Sequence, residues 1–199
     1  MILIYQFFFL ILTYFISAIP FGLILTKVFA KKDVRQFGSG NIGATNVARV
    51  VGKKLALVTL ILDGLKGAVM VATARFVFHD TSDLHLFLVL IGAVAVLGHV
   101  YPVYLHFRGG KGVATTVAVL LALDFNVGFL AICFWIMSFC LFRISSISSM
   151  VAVFSSIILS SHYDAPTSQL VFCWFLFILI LIRHKENILR LLTGEEQKF

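Results

Sequence analysis

Charge is what this sequence has least of. Only 13% of its 199 residues are charged, where an average soluble domain has about a quarter. By a wide count that includes Ala, Tyr and Cys, 60% are hydrophobic, and 21 residues are Phe. So few polar side chains cannot cover a soluble core. An ordinary cytosolic enzyme and a disordered tail are excluded. Cysteine is scarce as well, with three residues. Cys133 and Cys140 lie seven apart on one apolar segment and Cys173 stands alone in another. No disulfide scaffold and no metal spacing can be built from them, so they read as small apolar packing residues. Acidic residues number 9 against 16 Lys and Arg. Those on the basic side of the chain (Asp33, Asp63, Glu186, Glu195, Glu196) are scattered, which argues against a carboxylate cage for Mg²⁺.

What is present is a series of long apolar runs, the mark of spanning helices. The expected fold is all-α: one polytopic membrane bundle over residues 1–199, with about seven transmembrane helices, some short or broken. The first run, from Ile2 to Ala30, is too long for a cleaved signal peptide and lacks a basic flank at its start. Pro20 and Gly22 inside it predict a break. A polar stretch from Lys31 to Lys54 reads as the longest loop. Leu55–Phe78 and Leu84–Leu105 follow as full spans. Val113–Leu123, Val127–Phe142, Ile147–Ser160 and Gln169–Ile182 are shorter. They cross only if flanking polar residues also lie on helix, and otherwise are re-entrant or broken. Basic residues gather in alternate loops, while Asp80, Asp83, Asp124 and Asp164 fall in the others with only Arg75 nearby. Positive loops are cytoplasmic, so the N-terminus is expected outside and the C-terminus in the cytoplasm.

The polar minority collects toward the cytoplasmic side. Gly38-Ser39-Gly40-Asn41-Ile42-Gly43-Ala44-Thr45-Asn46, followed by Arg49, suits a phosphate: glycines turn the backbone so that N–H groups converge, and Arg49 adds a planar cation. The bland alternative is a flexible loop with Ser39 or Asn41 as a helix cap. Arg108-Gly109-Gly110-Lys111-Gly112 resembles a nucleotide P-loop only superficially, since the spacing is wrong and no strand leads in. Glycine N–H groups and a helix start can still meet an anion there, or the segment is simply a tight turn with positive charge. His99 lies shortly before it. Arg143 opens a run with Ser145, Ser146, Ser148 and Ser149, which also suits helix packing in lipid. His184, Asn187 and Arg190 recur every three residues and share a helical face. Inside a span, Asp63 and Lys66 are either a structural ion pair or a direct substrate contact.

Together these motifs resemble one family. Gly38–Asn46, Asp63-x-x-Lys66-Gly67, Gly98-His99 through Phe107–Thr115, Arg143-x-x-Ser146-x-x-Ser149 and His184-x-x-Asn187-Ile188-x-Arg190 through Glu196 are similar in order and position to the bacterial membrane-integral glycerol-3-phosphate acyltransferases that use acyl-phosphate. The similarity runs over nearly the whole chain. It departs at Ile147, Met150 and Gln197, where the family more often has Leu, Ile and Pro. The resemblance implies acyl transfer from acyl-phosphate to the sn-1 hydroxyl of glycerol 3-phosphate, the first acylation of phospholipid synthesis, at the bacterial inner membrane. It implies His184, Asn187, Ser39 and Arg49 as the catalytic set. Asn41, Thr45, Asn46, Lys66, His99, Gly109, Gly110, Lys111, Gly112, Ser146 and Ser149 would contact substrate, and Asp63, Arg143 and Glu196 would be structural. No metal, cofactor, nucleic acid or obligate protein partner is expected, only the two substrates and membrane lipid. The His-x₄-Asp arrangement of another acyltransferase superfamily is absent. The competing reading is a small transporter for an organic phosphate, which would place its site nearer the midplane.

Overall fold

The computed structural model describes residues 2–199, and among these there is no β-strand. Ten α-helices follow in order: α1 (Ile2–Ser17), α2 (Phe21–Ala30), α3 (Ala44–Val51), α4 (Lys53–Val77), α5 (Leu84–Val100), α6 (Val113–Leu123), α7 (Phe125–Phe142), α8 (Ser145–His162), α9 (Thr167–Arg183) and α10 (Lys185–Leu192). Short 3-10 turns occupy Val34–Gln36 and Val103–Leu105. Five helical stretches are long and apolar enough to cross a bilayer, and a sixth qualifies if α9 and α10, bent by 61°, count as one. α1 and α2 together make the first of these. The flanks of the short runs do lie on helix: Phe125 and Asn126 begin α7, Ser145 and Ser146 begin α8, and Thr167 begins α9. The eleven residues of α6 are the exception. At 1.5 Å per residue they cover about 16 Å, half of a hydrocarbon core.

One expectation is corrected. The stretch from Lys31 to Lys54 is not mainly loop, because residues 44–51 form α3. Its apolar face, with Val47 fully buried, packs with Leu23, Val34, Ile42 and Ala56 in a small second core. The polar count of that stretch hid a short amphipathic helix, whose few apolar residues all fall on one side.

The predicted break in the first run is real. α1 ends at Ser17 and α2 restarts at Phe21 after Pro20, which has no N–H to continue the ladder. At this break the Ile19 carbonyl accepts from Phe21 N–H at 3.1 Å and also from the Lys66 ammonium at 3.0 Å. Lys66 also donates to Asp63 at 2.9 Å, and both side chains are almost fully buried. His99 of α5 stands 3.6 Å from the same carboxylate. The Thr115 hydroxyl donates to the Asp63 carbonyl at 2.7 Å, which ties α4 to α6. Gly67 permits that approach, since a Cβ there would lie 2.8 Å from side-chain carbons of Thr115 and Val119.

The main core is apolar and central: Val71, Ile91, Val96, Val119, Leu120, Leu176 and Ile180 are completely or almost completely sealed. Around it, Phe and Leu side chains cover the outer surface, as in Phe7, Phe76, Phe129 and Leu141. The buried serines of α8 satisfy themselves locally. Ser148, Ser155 and Ser156 donate to carbonyls three or four residues earlier, a common solution in lipid.

Truncating Asp63 leaves Lys66 buried without its carboxylate. Asp63→Ala should cost about 3–5 kcal/mol of stability, read as a lowered Tm in detergent. The double change Asp63→Leu with Lys66→Met should recover most of the loss; an unshifted Tm for Asp63→Ala would remove the pair from the account.

Candidate active site

A cavity of about 500 Å³ opens between α3, α4, α6, α7, α8 and α10. It has two chemically distinct ends. At one end lie Ser39, Asn41, Thr45, Asn46, Arg49, His99, Lys111, Ser145, Ser146, Ser149, His184, Asn187 and Glu196. Asp63 and Gly64 of α4 also line the cavity, and its apolar lining is Leu60, Ile61, Leu65, Val117, Ala118, Leu121, Ile132 and Trp135, which runs down α6 as far as Leu121.

The polar end is built from helix starts. The first-turn residues of α3 (Ala44, Thr45, Asn46), α6 (Val113, Ala114), α8 (Ser145, Ser146) and α10 (Asn187) all face it. None of these four helices has a side-chain N-cap, and α3, α6 and α8 carry no acidic residue in the first turn. In α6 the ladder begins with Thr116 donating to Gly112, so the N–H groups of Val113, Ala114 and Thr115 have no partner within the helix. α8 and α10 begin likewise, with Ser148 donating to Ile144 and Ile188 to His184. Each start carries partial positive charge and open N–H donors. Four of them around one space, with Arg49 and Lys111, make a site for an anion of several oxygens.

The individual side chains divide by what already occupies them. Lys111 donates to Asn187 Oδ1. Burial pushes the Lys111 ammonium down to about 8. Glu196 accepts from Ser146 at 2.8 Å, Asn187 at 2.6 Å and Arg190 at 2.8 Å. Burial disfavours its charge, but these donors outweigh burial and hold the carboxyl below its usual range. His184 Nδ1 sits 2.8 Å from the Ile180 carbonyl. A carbonyl only accepts, so Nδ1 carries the hydrogen, and in the neutral ring Nε2 is left as an acceptor. Thr45 and Ser145 share a hydrogen bond of 3.0 Å across the cavity mouth. The Arg49 guanidinium donates to the Gln197 carbonyl at 3.2 Å and lies 5.6 Å from the Phe199 ring.

Several expected contacts are placed differently. Lys66 does not line the cavity; its ammonium is spent on Asp63 and Ile19. Gly109 and Gly110 do not line it either. Their N–H groups donate to Val100 and His99, and their carbonyls accept from Arg183 at 3.2 and 3.4 Å. A Cβ at Gly110 would collide with His99 Nε2 at 2.0 Å, so glycine there lets the loop lie on the imidazole. The cavity-facing part of this loop is Lys111 and Gly112, and Gly112 turns with φ +87°, a conformation that suits glycine. Asn46 lines the cavity but its amide is fully used: it accepts from Ser39 N–H at 2.9 Å and donates to the carbonyls of Val34, Phe37 and Asn41. It shapes the glycine-rich loop. Arg143, expected as structural and not as a contact, is exposed at the end of α7.

Sequence reasoning missed three participants. Ser145 belongs to the serine run but its place on the cavity face shows only once α8 is seen to start there. Trp135 donates to Ser149 at 3.3 Å and walls the apolar end. Arg183 holds the Gly109-Gly110 loop from below and stacks on Tyr101 at 5.6 Å; in sequence it is one more positive charge at a span end.

The family model described as glycerol-3-phosphate acyltransferase matches residues 7–194, and the chain belongs to that family. A glycerol-3-phosphate acyltransferase of Caulobacter vibrioides is 46% identical over 93% of this chain and 84% of its own length. The crystal structure of PlsY, an integral membrane glycerol 3-phosphate acyltransferase, in its glycerol 3-phosphate form superposes with a TM-score of 0.91 at 38% identity, covering 98% of this chain and 95% of that one. Its lysophosphatidic acid form gives 0.88 at 37% with the same coverage.

A lysine of this kind at a phosphate site would limit the pH range of binding. A phosphate monoester completes its second ionisation near pH 6, while Lys111 keeps its proton up to about pH 8. Affinity for glycerol 3-phosphate should therefore rise between pH 5.5 and 7 and fall above 8. Lys111→Arg should flatten the upper limb, because guanidinium stays charged. Titration by calorimetry in detergent checks both; an upper limb unchanged in the Arg variant would acquit Lys111.

Proposed function

We propose that this chain transfers a fatty acyl group from acyl-phosphate to the sn-1 hydroxyl of glycerol 3-phosphate, releasing lysophosphatidic acid and phosphate. The observation that carries the reading is the single cavity with two ends. Its helix starts, Lys111 and Arg49 suit phosphate oxygens, and its apolar arm suits a hydrocarbon chain. The names of the relatives and the two forms of the solved homologue support glycerol 3-phosphate as acceptor and lysophosphatidic acid as product. The basic end of the bundle, with Lys53, Lys54, Arg108, Lys111 and Lys185, is the end assigned to the cytoplasm of a bacterial inner membrane. There a soluble phosphate ester and a membrane-borne acyl donor reach one site.

The chemistry asks little of the protein. The acyl group of a mixed anhydride is already activated, and phosphate leaves readily, so positioning and charge stabilisation dominate. The glycerol hydroxyl attacks the acyl carbonyl, forming the ester C–O bond. The anhydride C–O bond breaks and its electron pair leaves with phosphate. The hydroxyl proton has two acceptors at hand: Nε2 of His184, in the tautomer fixed by Ile180, and an oxygen of the departing phosphate. Asn187, held by Glu196 and Lys111, orients the lysine. Ser39 and Arg49 close over the phosphate from the α3 side. In this scheme no residue carries the acyl group and no cofactor takes part.

The test is purified protein in lipid with glycerol 3-phosphate and palmitoyl-phosphate, with palmitoyl-coenzyme A and palmitoyl-acyl carrier protein as alternative donors. Lysophosphatidic acid should form from acyl-phosphate alone, and Arg49→Ala should lower turnover roughly a hundredfold or more. No product from acyl-phosphate, or uptake of glycerol 3-phosphate into sealed vesicles without acylation, would favour the transporter reading instead.

A further inference from the structure

Arg49 stands between two spaces. On one side is the polar end of the cavity. On the other is an open hollow of about 740 Å³, which Arg49 lines together with Lys32, Phe37, Gly38, Lys198 and Phe199. An arginine side chain is long and rotamer-rich, and ordering it costs entropy. With room on both sides, something must choose its direction. Two contacts do so, both from the segment after α10. The guanidinium donates to the Gln197 carbonyl at 3.2 Å and lies 5.6 Å from the centre of the Phe199 ring, within cation–π range. That segment is clamped on either side of Gln197. Before it, Glu196 accepts from Ser146, Asn187 and Arg190. After it, the Phe199 N–H donates to the Arg143 carbonyl at 2.8 Å, and the Phe199 ring meets Phe139 edge-on at 5.9 Å. Phe139 stacks in turn on Trp135, a wall of the cavity, at 4.9 Å. Neither contact neutralises the arginine. Arg35 and Arg190 are paired with Asp33 and Glu196, whereas Arg49 is held by a carbonyl and a ring. Gln197 takes one donor, and among the described residues the rest of the guanidinium fork is unbonded.

We propose that Phe199 is a positioning residue for the reaction: its ring, with the Gln197 carbonyl fixed beside it, holds the Arg49 guanidinium at the polar end before substrate arrives. This rests on the reading above that Arg49 meets the substrate phosphate. The cost of ordering the side chain is then met by the fold and not by binding. A carbonyl and a ring can steer the cation and leave its charge and its remaining donors for phosphate oxygens, whereas a carboxylate in the same place would occupy both. Arg143 serves the same clamp through its main-chain carbonyl and not through its exposed side chain.

The experiment is a double-mutant cycle on the affinity for glycerol 3-phosphate, read by calorimetry in detergent with no acyl donor present. Failure of the acyl-phosphate reading shows in the donor assay and not here. Phe199 is 43% exposed, so its variants should fold, and an unshifted Tm checks this. Phe199→Ala should weaken binding roughly three- to tenfold, the cost of ordering one rotamer-rich side chain. Phe199→Leu keeps apolar bulk without a ring face and should lose about as much, while Phe199→Trp should stay within about twofold of the unchanged protein. In an Arg49→Ala background, Phe199→Ala should add less than about twofold, because it acts through the arginine. Three results would each overturn the proposal. Equal losses with and without Arg49 would mean general packing. Full affinity in Phe199→Leu would mean that apolar contact is enough. Tighter binding in Phe199→Ala would mean that the segment holds Arg49 away from the phosphate.

Discussion

The buried ion pair between Asp63, which lines the cavity, and Lys66, which stands behind it, organises the site. It lies where four pieces of the chain meet: the break after α1, the middle of α4, the end of α5 and the first turns of α6. Lys66 donates to the Ile19 carbonyl at that break, and Asp63 faces His99. The His99 ring is the bed on which Gly110 lies, and the Asp63 carbonyl anchors Thr115. The position of Lys111 thus depends on charges that lie deeper in the fold, on α4. An unpaired charge would be costly here, so the pair supplies specificity of arrangement as much as stability.

Given that frame, the site follows from where helices begin. A membrane bundle must satisfy or solvate the four open N–H groups of every helix start. This chain turns the starts of α3, α6, α8 and α10 toward one space and leaves them without side-chain caps. The open donors that would be a liability elsewhere are offered to that space, as the proposed phosphate site requires. The shortness of α6 serves the same end: its start reaches the phosphate region while its finish, at the crossing with α7, closes the apolar arm. Glu196 keeps the assembly from excess positive charge, drawing Ser146, Asn187 and Arg190 together.

Much of this was legible in the sequence. Apolar runs gave the helices, Pro20 gave the break, and the glycine-rich and basic segments marked the residues that the cavity gathers from distant parts of the chain. What could not be read was the direction of each polar group. Lys66 and Asn46 look like ligands for phosphate because residue type and spacing do not say that their hydrogen bonds are already spent inside the fold. Gly109 and Gly110 look like an anion nest, but their N–H groups close the loop onto Val100 and His99. The helix α3 was hidden because eight residues with Thr45, Asn46 and Arg49 among them, set in a glycine-rich polar stretch, resemble loop until the second core beneath them is known. Arg183 was hidden because a cation at a span end has an adequate explanation in topology.

The central claim is that one cavity brings both substrates together, with no covalent stop on the protein. Rapid-quench measurement with acyl-labelled and phosphate-labelled acyl-phosphate, in the absence of glycerol 3-phosphate, tests it most directly. The account predicts no burst of free phosphate above slow hydrolysis and no acyl label retained on the denatured chain, with both products appearing together once glycerol 3-phosphate is added. A burst of phosphate stoichiometric with protein, matched by acyl label on the chain, would contradict it.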